Sequence, residues 1–406
     1  MSNAFHGWRM VWTMAFSTTV AYGVLYYSFA VFVQPMELEL NWNRAQTSGA
    51  LSLSALIGGL VAPIIGRVLD KHGSRVVMSL GAIAASGLLL LWAQTSSLVM
   101  LYAVWACLGV TSAMTFYDPA FTAIAVWFKR DRARAILTVT LVAGLASTIF
   151  IPLDTWLLSA LGWRGAVRVL SALMLLTALP LWIVLRRHPS DVAQSVDGIL
   201  EPVPATLEQA STPSSSLAQS DWLRSRAFWS VAVAFALGRM AVAVLAAHLV
   251  PLLTERGYSR AITATIAGAI GVLQLVGRVF FTGLTSRTGL LWLSSAAFAV
   301  HGLGVLALAV GGNAGIWVFL ILYGTTNGAI TLTRAALIAE LFPTSIYGRV
   351  NGAVSLSVAL SSASMPFVAG VLHTYSGNYD LTLWLLVAAL VASSLVILAA
   401  RTVRAD

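Results

Sequence analysis

Long apolar runs follow one another along nearly the whole chain. They occupy residues 8–33, 46–66, 75–94, 98–127, 134–161, 165–185, 227–253, 261–283, 290–311, 314–341, 347–374 and 380–400. Each reaches or exceeds the ~18 residues needed to cross about 30 Å of hydrocarbon as a helix. Barrel strands would alternate over about ten residues, whereas backbone groups in lipid must be satisfied within each segment, so helix is the expected conformation. Pro63, Pro119, Pro152, Pro251 and Pro366 fall inside the runs, a position membrane helices tolerate. One interruption differs in kind. From His188 to Asp221 the chain is rich in Pro, Ser, Gln and Ala and has little apolar periodicity, so it reads as a mobile linker. Six runs lie on each side of it. The expected architecture is an all-α membrane protein of twelve transmembrane helices in two pseudo-symmetric six-helix bundles, at 1–187 and 226–406, joined by a linker at 188–225.

Composition removes the main alternative. A chain of 406 residues suggests two or three soluble domains, but 58% of this one is apolar, 10% is charged, and its mean hydropathy is +0.85. Soluble domains carry about 25% charged residues. The net charge of +9 is spread over short loops and forms no dense basic tract, which argues against nucleic acid as a partner. Cys107 is the one cysteine; it lies in an apolar run and reads as a small packing residue. The first run is too long for a signal-peptide core and lacks a cleavage site, so it is the expected first span.

Charge asymmetry supplies an orientation. With the termini and linker placed in the cytoplasm, sixteen basic residues fall on that side and five on the other. The expectation is a multi-pass protein of a plasma membrane, of the bacterial inner-membrane type. Arg239, Arg278 and Arg334 remain within the membrane.

The turn between the second and third runs reads Gly66-Arg-Val-Leu-Asp70-Lys71-His-Gly73-Ser-Arg75. It returns faintly between the eighth and ninth as Thr282-Gly-Leu-Thr-Ser286-Arg287-Thr-Gly289. In both, a glycine follows a basic residue by two positions and permits a tight reversal. The first turn resembles the G-x-x-x-D-[RK]-x-G-x-[RK] signature of the major facilitator superfamily, through Gly66, Asp70, Lys71, Gly73 and Arg75. Finer features resemble the monocarboxylate porter family, which includes prokaryotic oxalate/formate-type carriers. These are Gly7-Trp8, Gly162-Trp163-Arg164, His248-Leu-Val-Pro251, Gly257-Tyr-Ser259 and Gly277-Arg278, with Pro366, Gly370, Gly377 and Tyr379 in the last two spans. Trp127-Phe128, Arg130, Arg132 and Ala135 follow a family loop that Asp131 interrupts. The resemblance implies secondary active transport by alternating access, with a substrate site near mid-membrane. It also implies small carboxylates as substrates, carried with a proton or exchanged for a counter-anion. The partners expected are therefore that carboxylate, the co-ion and the lipid bilayer, for a carrier functional as a monomer.

Polar residues inside the spans carry the functional expectation, because an arginine at a helix centre costs roughly 2.5–3.5 kcal/mol on insertion scales. Arg278 occupies the place of the family's carboxylate-binding arginine, and a guanidinium fork matches a carboxylate with two parallel hydrogen bonds. Gln274 precedes it by one turn, where many animal relatives carry an aspartate implicated in proton coupling. Tyr27 stands near where those relatives carry a lysine, and Tyr22, Tyr26 and Tyr27 give span one an aromatic face for substrate or for packing. Tyr323, Asn327 and Arg334 form one stripe of span ten. Arg334 pairs with Asp118 or serves substrate and gating. Tyr117-Asp118-Pro119 breaks span four, with Tyr117 a hydroxyl donor and Asp118 a salt-bridge partner or proton site. His248 reads as a cavity residue, either a proton relay or a plain hydrogen-bonding group. Arg239, nine residues earlier, points the other way on a regular helix and has no assigned partner. Asp154 is likewise unassigned, Glu340 reads as part of a cytoplasmic charge cluster, and His301 reads as a packing residue.

These expectations place a substrate anion mainly on the C-terminal half, with tyrosines of the N-terminal half closing over it. A multidrug or other solute exporter on the same fold is the alternative; it would want cavity acids, and Asp118 and Asp154 are available. A membrane enzyme is not expected, since no metal cluster such as H-E-x-x-H and no nucleophile motif occurs, and no cofactor is implied.

Overall fold

A computed structural model describes residues 5–198, 221–284 and 288–400. Most of the linker at 188–225, together with Ser286, Arg287, Arg401 and Arg404, lies outside the described residues. Among the described residues every regular element is helical. The chain divides into two compact units, Met1–Ser214 with Pro343–Gly352, and Ser215–Phe342 with Ala353–Asp406.

The first unit opens with α1 (His6–Tyr22), a π-helical turn (Gly23–Tyr27) and α2 (Ser28–Leu40), one span that runs a further two turns beyond the apolar run. The helix stops at Asn41, whose left-handed φ of 57° suits a short polar side chain. Asn43 then caps α3 (Arg44–Trp92), accepting from the Gln46 N–H at 2.9 Å while the Gln46 side chain accepts from the Asn43 N–H at 3.0 Å. Two crossings share α3, reversed at Gly73 with φ of 78°. The fourth crossing is split into α4 (Leu98–Thr115) and α5 (Tyr117–Trp127). Pro119 has no N–H to give and its ring crowds the carbonyl four residues back, so the helix yields at Phe116. Next come α6 (Arg132–Gly144) and α7 (Ala146–Val184), which contains the second reversal, at Gly162 with φ of 67°. Trp92 and Trp105 pack edge to face at 5.0 Å in the core, with Phe29 4.6 Å from Trp105.

The second unit contains α8 (Arg226–Glu255), α9 (Arg260–Leu284), α10 (Leu290–Val310), α11 (Gly312–Leu341), most of α12 (Tyr347–Ser376) and α13 (Asp380–Leu398). Hydroxyls tie neighbours together. Ser295 and Ser394 bond each other at 2.9 Å between α10 and α13, and Ser361 donates to the Ala236 carbonyl at 2.8 Å between α12 and α8.

Nine helical stretches among the described residues are long and apolar enough to cross a membrane, and α9 adds a shorter apolar stretch over Gly268–Leu284. Two of the nine, Gln46–Trp92 and Arg132–Val184, hold the glycine reversals and therefore two crossings each. The result is the twelve-helix architecture. Large apolar side chains such as Trp156, Leu176 and Phe367 lie exposed on its surface, as a lipid-facing surface requires.

Candidate functional site

In the second unit the site is built on glycine. A Cβ at Gly277 would overlap the Thr325 carbonyl oxygen, and one at Gly328 would overlap the Gln274 carbonyl oxygen. A Cβ at Gly324 would stand 2.8 Å from the Leu273 Cβ. The bare backbones of α9 and α11 therefore meet directly, a contact only small residues permit. This approach sets Gln274 and Arg278, one turn apart on α9, against the stretch of α11 that carries Tyr323 and Asn327. Arg278 is 8% exposed and Asn327 equally so, while Tyr323 is buried. Arg334 follows two turns along α11.

Arg239 on α8 donates a long hydrogen bond of 3.4 Å to the Ser362 hydroxyl, and its charge acts on Tyr323. The Tyr323 ring packs at a tilt against His301, 4.4 Å between centroids. His301 is fully buried, and its Nδ1 lies 2.8 Å from Thr326 Oγ1. The Thr326 hydroxyl spends its proton on the Leu322 carbonyl, so the histidine carries hydrogen on Nδ1 and donates. His301 is thus held by a hydrogen bond as well as by packing, and nothing in the sequence pairs it with Thr326.

His248 is tied at both ring nitrogens. Nε2 is 3.0 Å from the Pro366 carbonyl and Nδ1 is 3.0 Å from the Tyr379 hydroxyl. A carbonyl only accepts, so Nε2 carries the hydrogen and Nδ1 of the neutral ring accepts from Tyr379. Burial, and next the Glu255 carboxylate, push the Tyr379 pKa above its usual value and keep it a donor. His373 and Glu255 pair at 3.0 Å, and Arg256 and Asp380 at 3.1 Å. Together with Leu252 and Asn378 these residues line a cavity of about 430 Å³ at this end of the unit. Arg239 and His248, despite their opposed directions on α8, both reach α12, at the Ser362 hydroxyl and the Pro366 carbonyl.

The first unit contributes an aromatic face. Tyr22 stacks on Phe116 at 4.1 Å and lies 4.8 Å from Tyr117, which stacks on Phe121 at 5.4 Å. Tyr26 contacts Tyr22 at 6.5 Å and Tyr27 at 5.1 Å, and is 51% exposed. The π-turn of span one and the break before Tyr117 bring these rings together. Asp118 sits in the first turn of α5, where the helix dipole favours an acid.

The Gly66–Arg75 turn is also fastened in this unit. Asp70 accepts from the Gly348 N–H at 2.7 Å and the Arg349 N–H at 3.0 Å, and lies 3.4 Å from Arg349 Nε. Its carboxylate thereby caps the start of α12. Gly66 leaves room for the Gly348 carbonyl. Arg187 donates to the Asp70 carbonyl at 3.0 Å and packs on Gly73, while Arg75 covers the Trp182 ring at 4.3 Å. Lys71 is exposed beside them.

Comparison with known proteins bears on the family and the fold. The rat protein named monocarboxylate transporter 13 is 26% identical over 389 residues, covering 92% of this chain and 84% of the relative. The Bacillus subtilis MFS-type transporter YcxA is 25% identical over 404 residues, covering 92% and 90%. Among solved structures, the Escherichia coli transporter FucP in its outward conformation superposes with a TM-score of 0.74 at 14% identity, covering 97% of this chain and 98% of the other. The human organic anion transporter MFSD10 superposes with a TM-score of 0.71 at 15% identity, covering 96% and 98%. At those identities the superpositions speak for the fold. The family model of the Major Facilitator Superfamily matches residues 14–366, and the chain belongs to that superfamily of membrane transporters.

Proposed function

We propose that the chain carries a small organic anion, a monocarboxylate such as lactate or pyruvate, by alternating access coupled to protons or to anion exchange. The observation that carries this reading is Arg278. It is a nearly buried cation set beside α11 by glycine contacts that give the backbone no freedom to withdraw it. A guanidinium held at this place can bind a carboxylate through two parallel hydrogen bonds. The names of the monocarboxylate transporter relatives support the same chemistry.

In this reading Gln274, Tyr323 and Asn327 complete the polar surround of the carboxylate, and His248 steadies α12 beside it. Tyr26, Tyr27 and Tyr117 offer hydroxyls and ring faces to the anion's body during the cycle. Asp118, Arg334 and Arg239 serve coupling or gating, and the Asp70 turn holds α12. The termini lie in the cytoplasm of a bacterial-type inner membrane, following the distribution of basic residues.

Proteoliposomes containing the purified protein and offered labelled pyruvate, lactate and oxalate test the reading. Uptake and exchange of one or more is expected, with loss in Arg278→Ala. Arg278→Lys retains a fraction at most, since an ammonium cannot make the fork. Unchanged transport in Arg278→Ala overturns the assignment.

A further inference from the structure

One acid inside the first unit has no part in the site above. Asp154 lies in α7 and is completely buried. Neither of its carboxyl oxygens accepts a hydrogen bond. The polar group that faces it is the Ser28 hydroxyl, and that hydroxyl already donates its single proton to the Gly23 carbonyl at 2.9 Å. Gly23 and Ser28 are the two ends of the π-helical turn in span one, where the Ser28 N–H bonds the same Gly23 carbonyl. One turn before Asp154 on α7, Phe150 presses on Gly23, where a Cβ would overlap its ring. Phe150 and Asp154, at i and i+4, thus grip the two ends of the π-turn.

Among the described side chains no cation offsets the acid. Ionisable side chains on the elements packed against α7 fall at their ends or at the Gly73 reversal. Among the described side chains they are His6 and Arg9 on α1, Glu37 and Glu39 on α2, Arg67, Asp70, Lys71, His72 and Arg75 on α3, and Arg132 and Arg134 on α6. On α7 itself Arg164 and Arg168 lie beyond the Gly162 reversal, and Arg164 is paired with Glu39 at 2.8 Å. Of the ring hydroxyls of Tyr22, Tyr26 and Tyr27 on span one, none acts on the Asp154 carboxyl. An ionised carboxylate here would be desolvated without compensation, whereas the neutral acid can donate to Ser28 Oγ.

We propose that Asp154 is the proton-carrying group of the transport cycle and that its proton sets the hydrogen bonding of the span-one π-turn. When protonated, its O–H donates to Ser28 Oγ while the Ser28 O–H donates to Gly23. When the proton leaves to water, the carboxylate takes the Ser28 O–H, and Gly23 keeps only the backbone bond. The turn that positions Tyr26 and Tyr27 then loses one of its two fastenings. Single π-turns gather at functional positions, where such rearrangement is cheap. The proposal rests on the carrier reading above and adds the identity of its co-ion and the group that bears it.

The test uses the full-length protein in liposomes with two readouts. Labelled pyruvate is followed in equilibrium exchange and in accumulation driven by an imposed pH gradient. Asp154→Asn is expected to keep exchange and to lose gradient-driven accumulation by about tenfold or more, the scale of an ordinary coupling free energy. Asp154→Glu is expected to restore part of it. Accumulation by Asp154→Asn equal to wild type overturns the proposal. The second readout is the infrared carbonyl band of a buried protonated carboxyl across an acid-to-alkaline step. It is expected in wild type, absent in Asp154→Asn and displaced in Asp154→Glu. A band that neither variant changes overturns the proposal even if pyruvate is not a substrate. Absence of carboxylate exchange by wild type would instead sink the substrate reading.

Discussion

The second and fourth crossings of the first unit pack by the same device as their counterparts in the second. A Cβ at Gly109 of α4 would overlap the Ser54 carbonyl of α3, and one at Gly58 would stand 3.0 Å from the Gly109 carbonyl. Gly277 and Gly328 do the same between α9 and α11. The decoration differs. Around Gly58 the sequence offers Ala55, Leu56, Ile57 and Gly59, whereas Gly277 is followed at once by Arg278 and preceded by Gln274 one turn earlier. One backbone contact serves packing alone in the first half, and in the second it also fixes a buried cation. The polar groups of the first half sit elsewhere, at Tyr117 and Asp118 of α5 and at Asp154 beside the π-turn.

The largest effect expected is at those glycines. Val at either position forces a side chain into a neighbouring carbonyl, a strain of about 3 kcal/mol, the upper part of the range for overpacked sites. Gly109→Val and Gly277→Val should therefore lower thermal stability to a similar extent in detergent. Only Gly277→Val should also abolish the stabilisation that added carboxylate gives the folded protein. Equal ligand-induced shifts in the two variants would show that α9 does not carry the anion site.

The difference between the halves also marks what a reader of the sequence could see. Twelve crossings, the glycine reversal after Asp70 and the break at Tyr117-Asp118-Pro119 were legible, because hydropathy, glycine and proline act locally on the backbone. Arg278 was legible through its cost in lipid and its place beside Gly277. The π-turn was not, since nothing in the composition of Gly23–Tyr27 sets it apart from an ordinary helical turn, and its contact with Phe150 joins distant parts of the chain. The His301–Thr326 bond and the tie from His248 to Tyr379 join residues 25 and 131 positions apart, and no periodicity links them. Asp154 was visible as an acid but not as a buried one, because its surroundings come from two distant spans.

Asp70 sharpens the comparison at the turns. Its carboxylate accepts two backbone N–H groups at the start of α12, and charged acceptors of this kind contribute about 1.5–3 kcal/mol. The matching turn of the second half has Ser286 where this acid would fall. Asp70→Asn preserves shape but loses the charge and presents an amide to the donors. It should lower the thermal midpoint less than Gly277→Val does, and it should slow transport with little change in carboxylate affinity. A large loss of affinity would mean that the turn reaches the anion site directly.

The smallest effect belongs to the histidine tie of the second unit. Tyr379→Phe removes the hydroxyl that His248 Nδ1 accepts and leaves the ring packing against His373 at 4.3 Å. A net loss of about 1 kcal/mol is the usual value of one such bond. Its pH dependence separates it from a simple packing defect. Because the folded protein holds the Tyr379 proton more tightly than the unfolded chain does, the contribution is complete below the ordinary tyrosine pKa of about 10 and fades as pH rises beyond it. Wild type and Tyr379→Phe should therefore differ in thermal midpoint at neutral pH and converge in strong alkali. A gap that stays constant through that range would show that the hydroxyl proton contributes nothing. His248 would then be held by the Pro366 carbonyl alone, with no tie from α8 to the loop before α13 through Tyr379.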